Sequence, residues 1–312
     1  HLFQPRTTYR TQGRQSNTQS SGTNAPNGVI VRFYQKTKAT KELELEFLND
    51  KNESIIKYSS VKNTKGEPQK VAKEFHQDTE KEKAGYVPNK VGMNVFVWNM
   101  RYPNATEVEG TNVMWAGSGV GAKVLPGMYK VRFIEDKKII GEQTFDIKKD
   151  PRAEGTDADL KEQFEFHQKV NKKVNEAHLA INKIRKIKGQ INGYVGAVKD
   201  SVMVKEMKKM AEPTIKSLEE LEATLMQPKA KAPQDVLAYP IMLNDKMAGL
   251  GSNVSSGDTK PTKGAYEVYD DLAKKIDIAV AKVNEIATVK VPEFNAFIQQ
   301  KQIPAIVIED KK

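Results

Sequence analysis

The apolar positions of this chain change period once, near residue 151. Before that point they alternate. Leu43, Leu45 and Phe47 interleave with Glu42, Glu44 and Glu46, the period of two expected when one strand face is buried and the other wet. Residues 29–35 and 53–59 are weaker strand candidates on either side. In Met93-Asn94-Val95-Phe96-Val97-Trp98 both alternating sets are mostly apolar, which predicts a strand covered on both faces. Leu125-Pro126-Gly127-Met128 puts Pro and Gly in the two middle positions of a type II turn. That turn feeds Tyr129, Val131 and Phe133 on one face, with Lys130 and Arg132 on the other. A turn at 135–138 leads into a strand over 139–147. About seven short strands with frequent turns predict an antiparallel β-sandwich, immunoglobulin- or fibronectin-like.

Past Asp150-Pro151 the apolar residues recur at threes and fours. Thr156 followed by Asp159 has the form of a capping box. Leu160, Phe164, His167, Val170, Val174, Ala177, Ile181 and Ile184 then share one face, predicting a helix of roughly thirty residues that stops at Gly189. Met203, Met207, Met210, Leu218, Leu221 and Leu225 continue the pattern with a break at Pro213, the methionines reading as core filler. Residues 228–233 form a loop, and 235–250 a shorter helix interrupted at Pro240. A second long helix follows from Tyr266 to Ile286, and a short last one over 293–301. The pattern predicts an antiparallel helical bundle. The chain therefore reads as α+β and multidomain: a tether or long loop over 1–27, polar from residue 11 onward, a sandwich over 28–151 and a bundle over 152–312.

At 312 residues there is chain enough for two cores. No run approaches the ~18 apolar residues of a membrane span, so none is expected. Residue 1 is His and no charged-then-apolar signal pattern follows, which marks a processed product or an excised piece. Cysteine is absent, excluding disulfide and thiolate chemistry. The net charge of +10 does not read as a nucleic-acid footprint. Only eight of the 50 basic residues are Arg, and the lysines alternate with Asp and Glu, whereas nucleic-acid binding calls for a clustered stripe with interleaved aromatics. The densest cluster, Lys183, Arg185, Lys186 and Lys188, falls at the end of the predicted helix, where cations suit the dipole.

Catalytic patterns are missing. The histidines are His1, His76, His167 and His178; the last two share a helix face but stand ~16 Å apart, too far to ligate one metal ion. Gly117-Ser118-Gly119-Val120-Gly121 leads to another strand rather than a helix, so it reads as a flexible hairpin loop and not a phosphate cradle. The acidic pairs Asp157 with Asp159 and Asp270 with Asp271 fit helix surfaces, and no Ser-centred elbow occurs. No catalytic residue, cofactor or metal is expected. Candidate contact residues remain: Tyr102 and Trp115, whose rings could stack on a sugar or partner, and Asp258 within the long polar stretch 251–264. Trp98 and Tyr129 could stack in the same way if exposed, and all four rings read first as core or loop anchors.

Segments in a shared order carry a resemblance. They are Asn24-Ala25-Pro26-Asn27-Gly28, Phe96-Val97-Trp98-Asn99-Met100-Arg101-Tyr102-Pro103, Trp115-Ala116-Gly117, Pro126-Gly127-Met128-Tyr129-Lys130-Val131 and Lys149-Asp150-Pro151-Arg152. Further on come Glu176-Ala177-His178 with Ile181-Asn182, Leu243-Asn244-Asp245-Lys246, Val254-Ser255-Ser256-Gly257-Asp258 and Tyr266-Glu267-Val268-Tyr269-Asp270-Asp271-Leu272. With His1-Leu2-Phe3, these resemble the C-terminal region of bacterial (Bacteroidetes-type) sortilin-like BNR-repeat proteins, often labelled glycosyl hydrolases. The resemblance implies a β-propeller upstream, built on Asp boxes of the form Ser-x-Asp-x-Gly-x-Thr-Trp. This chain has none, since Ser256-Gly257-Asp258 lacks the later Gly and Trp. It implies a secreted, periplasmic or surface location and transfers no catalytic residue. The expected role is a non-catalytic accessory region docking the parent propeller or an envelope protein. The alternatives are a glycan-active hydrolase segment or a carbohydrate-binding module with a polysaccharide ligand.

Overall fold

The computed structural model describes residues 1–11, 26–61 and 86–303. It is a mixed α and β protein. The strands are β1 (Thr8–Arg10), β2 (Val29–Gln35), β3 (Leu43–Leu48), β4 (Ser54–Ser59), β5 (Gly92–Trp98), β6 (Gly127–Glu135) and β7 (Lys138–Lys149). The α-helices are α1 (Asp157–Ala197), α2 (Ser201–Leu225), α3 (Leu243–Val254), α4 (Lys263–Glu285) and α5 (Val291–Gln300). Among the described residues no strand follows Lys149 and no helix precedes Asp157, so the change of period marks a change of structure. Two compact units are interleaved along the chain. The first takes His1–Asn104, Val120–Gln168 and Val254–Pro261; the second takes Ala105–Gly119, Lys169–Asn253 and Thr262–Lys312.

The first unit holds every strand found among the described residues. A curled five-stranded sheet runs in the order β1-β7-β6-β3-β4, with β1 parallel to β7 and the other pairs antiparallel. β2 and β5 pair antiparallel in a second sheet. Alternation decides what lies between them. Leu43, Leu45 and Phe47 point inward beside Val131 and Phe133, while Val29, Val31 and Phe33 do so beside Phe96 and Trp98. Rings from the two sheets meet directly, Phe47 on Trp98 at 4.4 Å and Phe33 on Phe133 at 4.6 Å between centroids. Trp98 is fully buried. β6 turns into β7 through Asp136 and Lys137, both at positive φ (48° and 65°), the two-residue type I′ geometry that matches strand twist.

Three strand expectations change. β5 is covered on one face only: Asn94, Phe96 and Trp98 are buried, whereas Met93 and Val95 are about half exposed at 54% and 49%. The reason is that its sheet has two strands and only its inner face meets the other sheet. Gly127 is already the first residue of β6, with φ at 152°, far from the +80° of a type II turn. Within the stretch 1–27 expected as a tether, residues 1–11 are tied into the fold. β1 pairs with β7, Leu2 bridges Phe33, and Gln4 donates to the Thr144 carbonyl at 3.3 Å. The rest of that stretch, 12–25, lies outside the described residues, as does His76.

The helices begin where capping predicts. The Thr156 N–H donates to Asp159 Oδ2 at 2.9 Å, and the Asp159 N–H donates to Thr156 Oγ1 at 3.1 Å, a capping box with Asp in the acidic place. Two predicted breaks do not occur. α1 passes Gly189 and runs for 41 residues, because Ile187, Ile191 and Val195 extend its buried face at steps of four. The Lys183–Lys188 cluster therefore lies inside the helix and not at its end. There Arg185 and Lys188 reach Glu222 at 2.7 and 3.1 Å. α2 passes Pro213, since Met207, Ala211, Leu218 and Leu225 remain buried on either side of it. The predicted helix over 235–250 splits at Pro240 into a 3₁₀ turn (Pro233–Leu237) and α3. α4 runs into α5 through a π turn (Ile286–Lys290). Of the methionine stripe, Met207 is core, while Met210 borders an open groove of about 620 Å³ between α2 and the α4–α5 line.

Candidate functional site

The most organised surface feature belongs to the second unit, and it begins on α1. Asn175, His178, Asn182 and Arg185 are spaced by three and four residues, so they share one helix face. Each holds the backbone of the segment Ala105–Gly119. Asn175 Oδ1 accepts from the Thr106 N–H at 2.8 Å, and His178 Nδ1 lies 2.6 Å from the Thr106 carbonyl. Asn182 takes the Glu109 N–H at 2.7 Å and donates to the Glu107 carbonyl at 2.9 Å. Arg185 donates to the Glu109 carbonyl and, at 2.9 Å, to the Thr111 carbonyl. A segment without secondary structure thereby has its peptide groups satisfied by side chains.

α3 completes the clamp. The buried Asp245 carboxylate accepts three consecutive backbone N–H groups, from Trp115 and Ala116 at 2.8 Å each and from Gly117 at 3.3 Å. Asn244 donates to Asn112 at 3.1 Å and lies 3.4 Å from His178 Nε2. Gly117 packs so tightly on the backbone of Ala248 that a β-carbon would collide with it. Burial pushes the His178 imidazole below its ordinary pKa, against the opposing pull of the Thr106 carbonyl. A neutral ring protonated on Nδ1 satisfies both contacts, donating to Thr106 and accepting from Asn244. Below the loop, Glu222 is disfavoured as an anion by burial. The Arg185 and Lys188 cations outweigh that and hold its pKa below the usual carboxylate value.

What this clamp presents is Trp115. The residue is 60% exposed, on a backbone fixed at three successive amides. Large apolar rings are normally buried, whereas this one stands open to solvent on a fixed backbone.

The other two candidates are occupied by the fold of the first unit. The Tyr102 ring leans on Phe164, 5.3 Å between centroids, and is half-buried against the sheet core. Burial, then the nearby Glu53 and Asp50, raises its pKa. The Asp258 side chain is only 6% exposed and is ion-paired with the buried Arg10. Gln163 closes that cluster, accepting from Arg10 at 3.2 Å and donating to the carbonyls of Val254, Gly257 and Thr259 at 3.0, 2.6 and 2.8 Å. Most of the stretch 251–264 is therefore accounted for: α3 runs to Val254, α4 starts at Lys263, and the turn between them is tied down. The Gly117-to-Gly121 run is no flexible hairpin either. Gly121 abuts the carbonyls of Tyr102 and Pro103, where a β-carbon has no room. His167 is buried, and that burial, with the Arg101 charge behind it, lowers its pKa to about 4. The cavity beside it measures about 10 Å³, room for one water at most. Among the described residues no three His, Asp or Glu side chains gather as metal ligands, and no helix is long and apolar enough to cross a membrane.

Reading the sequence did not single out Asn175, Asn182, Arg185, Asn244 or Asp245 as a set. The available signal was their polar spacing along helices whose other positions are apolar. Comparison with family profiles, with curated proteins and with solved structures returns no match for this chain.

Proposed function

We propose that this chain is a non-catalytic interaction region of a secreted, periplasmic or surface protein of the sortilin-like BNR-repeat kind, and that Trp115 is its principal contact. One observation carries the reading: a tryptophan 60% exposed on a loop locked by Asp245. Exposed aromatics on pre-ordered backbone lose little entropy on binding and are the residues that dominate interfaces. Segments from the ordered resemblance meet in this clamp, namely Trp115-Ala116-Gly117, Glu176-Ala177-His178, Ile181-Asn182 and Leu243-Asn244-Asp245. The favoured ligand is a protein surface, the parent propeller or an envelope partner. On the same reading the two sheets form a sandwich-like module around the Trp98 core and the helices a bundle that carries the clamp.

A polysaccharide is the second reading, because an open indole stacks on sugar rings. It is weakened by Tyr102, whose ring lies against Phe164 and offers no second platform. Capture from the native cell envelope with wild-type chain and Trp115→Ala as baits tests the first reading: the partner is expected on wild type and lost on the variant. Identical capture by both baits defeats it. Retardation of wild type but not Trp115→Ala in a polysaccharide gel, with no protein captured, moves the assignment to a carbohydrate-binding module.

A further inference from the structure

Two of the side chains that hold the loop 105–119 can change charge, Asp245 and His178. Asn175, Asn182 and Asn244 do not titrate, and Arg185 stays cationic.

The contacts of His178 fix where its protons fit. Nδ1 lies 2.6 Å from the Thr106 carbonyl, which can only accept, so that nitrogen carries the hydrogen. Nε2 lies 3.4 Å from the Asn244 amide nitrogen, which can only donate, so it stays bare. Asn244 is not free to turn its amide over for a second proton. Its Oδ1 accepts the Asp245 N–H at 2.8 Å, a donor in the opening turn of α3 that no helical carbonyl can reach. Its Nδ2 donates to Asn112 at 3.1 Å. Both partners are sealed from water, His178 at 4% and Asn244 at 1% exposure. A proton on Nε2 therefore sets donor against donor where no solvent can intervene.

The surrounding charges do not reverse this. Glu107, on the loop, favours the cation but is outweighed by burial. Asp245 follows Asn244 on α3 and is occupied by three amides. Arg185 stands about two turns further along α1, where Glu222 of α2 pairs with it, and Asp277 of α4 is taken by Lys173. The folded ring thus holds its proton less tightly than an exposed histidine. The neutral contact is fully present above about pH 6.5 and is lost as the pH falls through the lowered value.

We propose that His178 is an acid-sensitive latch on the loop that carries Trp115. A second proton on its ring breaks the Asn244 contact, the start of α3 shifts with Asn244, and the amides of residues 115–117 lose the Asp245 carboxylate. The proposal rests on the reading of Trp115 as the contact, since loosening its mount weakens a partner's hold.

Amide exchange at Trp115 and Ala116, read by NMR on the whole chain and corrected for the intrinsic effect of pH, tests it. Protection is expected to fall by about tenfold or more on acidification, in step with titration of the His178 ring. His178→Asn puts an amide that does not titrate where Nδ1 stands and should keep the protection over the same range. Asn244→Asp offers the protonated ring an acceptor and should also remove the fall. A fall unchanged in His178→Asn assigns the release to Asp245 and overturns the proposal, as does level protection while the ring titrates. So does opening that occurs only together with the amides of β2 and β5, which reports general unfolding. Trp115-dependent capture with level protection defeats the latch alone. A His178-dependent fall without Trp115-dependent capture defeats only the proposed contact.

Discussion

The two units are held by different physics. The first is organised by large rings: Phe47, Trp98, Phe96, Tyr58, Phe145 and Tyr129 form one connected aromatic core. Its strands can be read as a hydrophobic solid with polar groups at the margins. The second sets helix faces of Ala, Ile, Leu and Val side by side, but its defining loop is held almost wholly by polar side chains. Asn175, Asn182, Arg185 and Asp245 do there what strand ladders do in the first unit. The difference teaches where function can be mounted. A ring core fixes its aromatics by burying them, whereas a polar clamp fixes a backbone and leaves its aromatic open to solvent.

The largest expected effect separates the two tryptophans. Trp98→Ala removes the ring that Phe47, Tyr129 and Phe145 pack against and is expected to destabilise by about 3–5 kcal/mol. Trp115→Ala should change stability by less than about 0.5 kcal/mol. Denaturant titration followed by circular dichroism measures both, and similar losses in the two variants would erase the contrast between the buried and the exposed ring.

Next comes the clamp itself. Asp245→Ala leaves three backbone amides without their acceptor, a loss of roughly 1–3 kcal/mol. Proteolysis should then cut within residues 105–119 before it cuts elsewhere, because the lock is local. A variant cleaved no faster than wild type in that loop would show that the α1 side chains hold it without α3.

The smallest effect probes the continuity of α1. Gly189 sits in the helix with nothing near the space a β-carbon would fill, so Gly189→Ala should stabilise by up to about 1 kcal/mol. A destabilised Gly189→Ala would mean that the helix does end there, as the sequence pattern alone predicts.

Some of this was legible in the residues. The alternation of Leu43, Leu45 and Phe47, the turn before Lys138, the Thr156 capping box and the step to a period of three or four all report local geometry, which depends on neighbours in sequence. The breaks expected at Gly189 and Pro213 were not borne out. Propensity penalties of about 1 and 3 kcal/mol are outweighed when buried residues continue on both sides.

Among the candidate contacts, the sequence could rank rings by size but not by exposure. Trp98, Tyr102 and Trp115 look alike as apolar rings near turns. Tertiary structure alone buried the first, leaned the second on Phe164 and left the third in solvent. Asp258 likewise read as a loop carboxylate until Arg10, 248 positions away, claimed it.

By itself, then, the sequence determined element type and the single change from strands to helices, because hydrophobic period is a property of adjacent residues. Only the tertiary structure decided that residues 105–119 join the helices, that 254–261 join the strands, and that one of two tryptophans faces outward. Those outcomes depend on hydrogen bonds between residues 66 to 248 positions apart, and such partners leave no periodic trace along the chain.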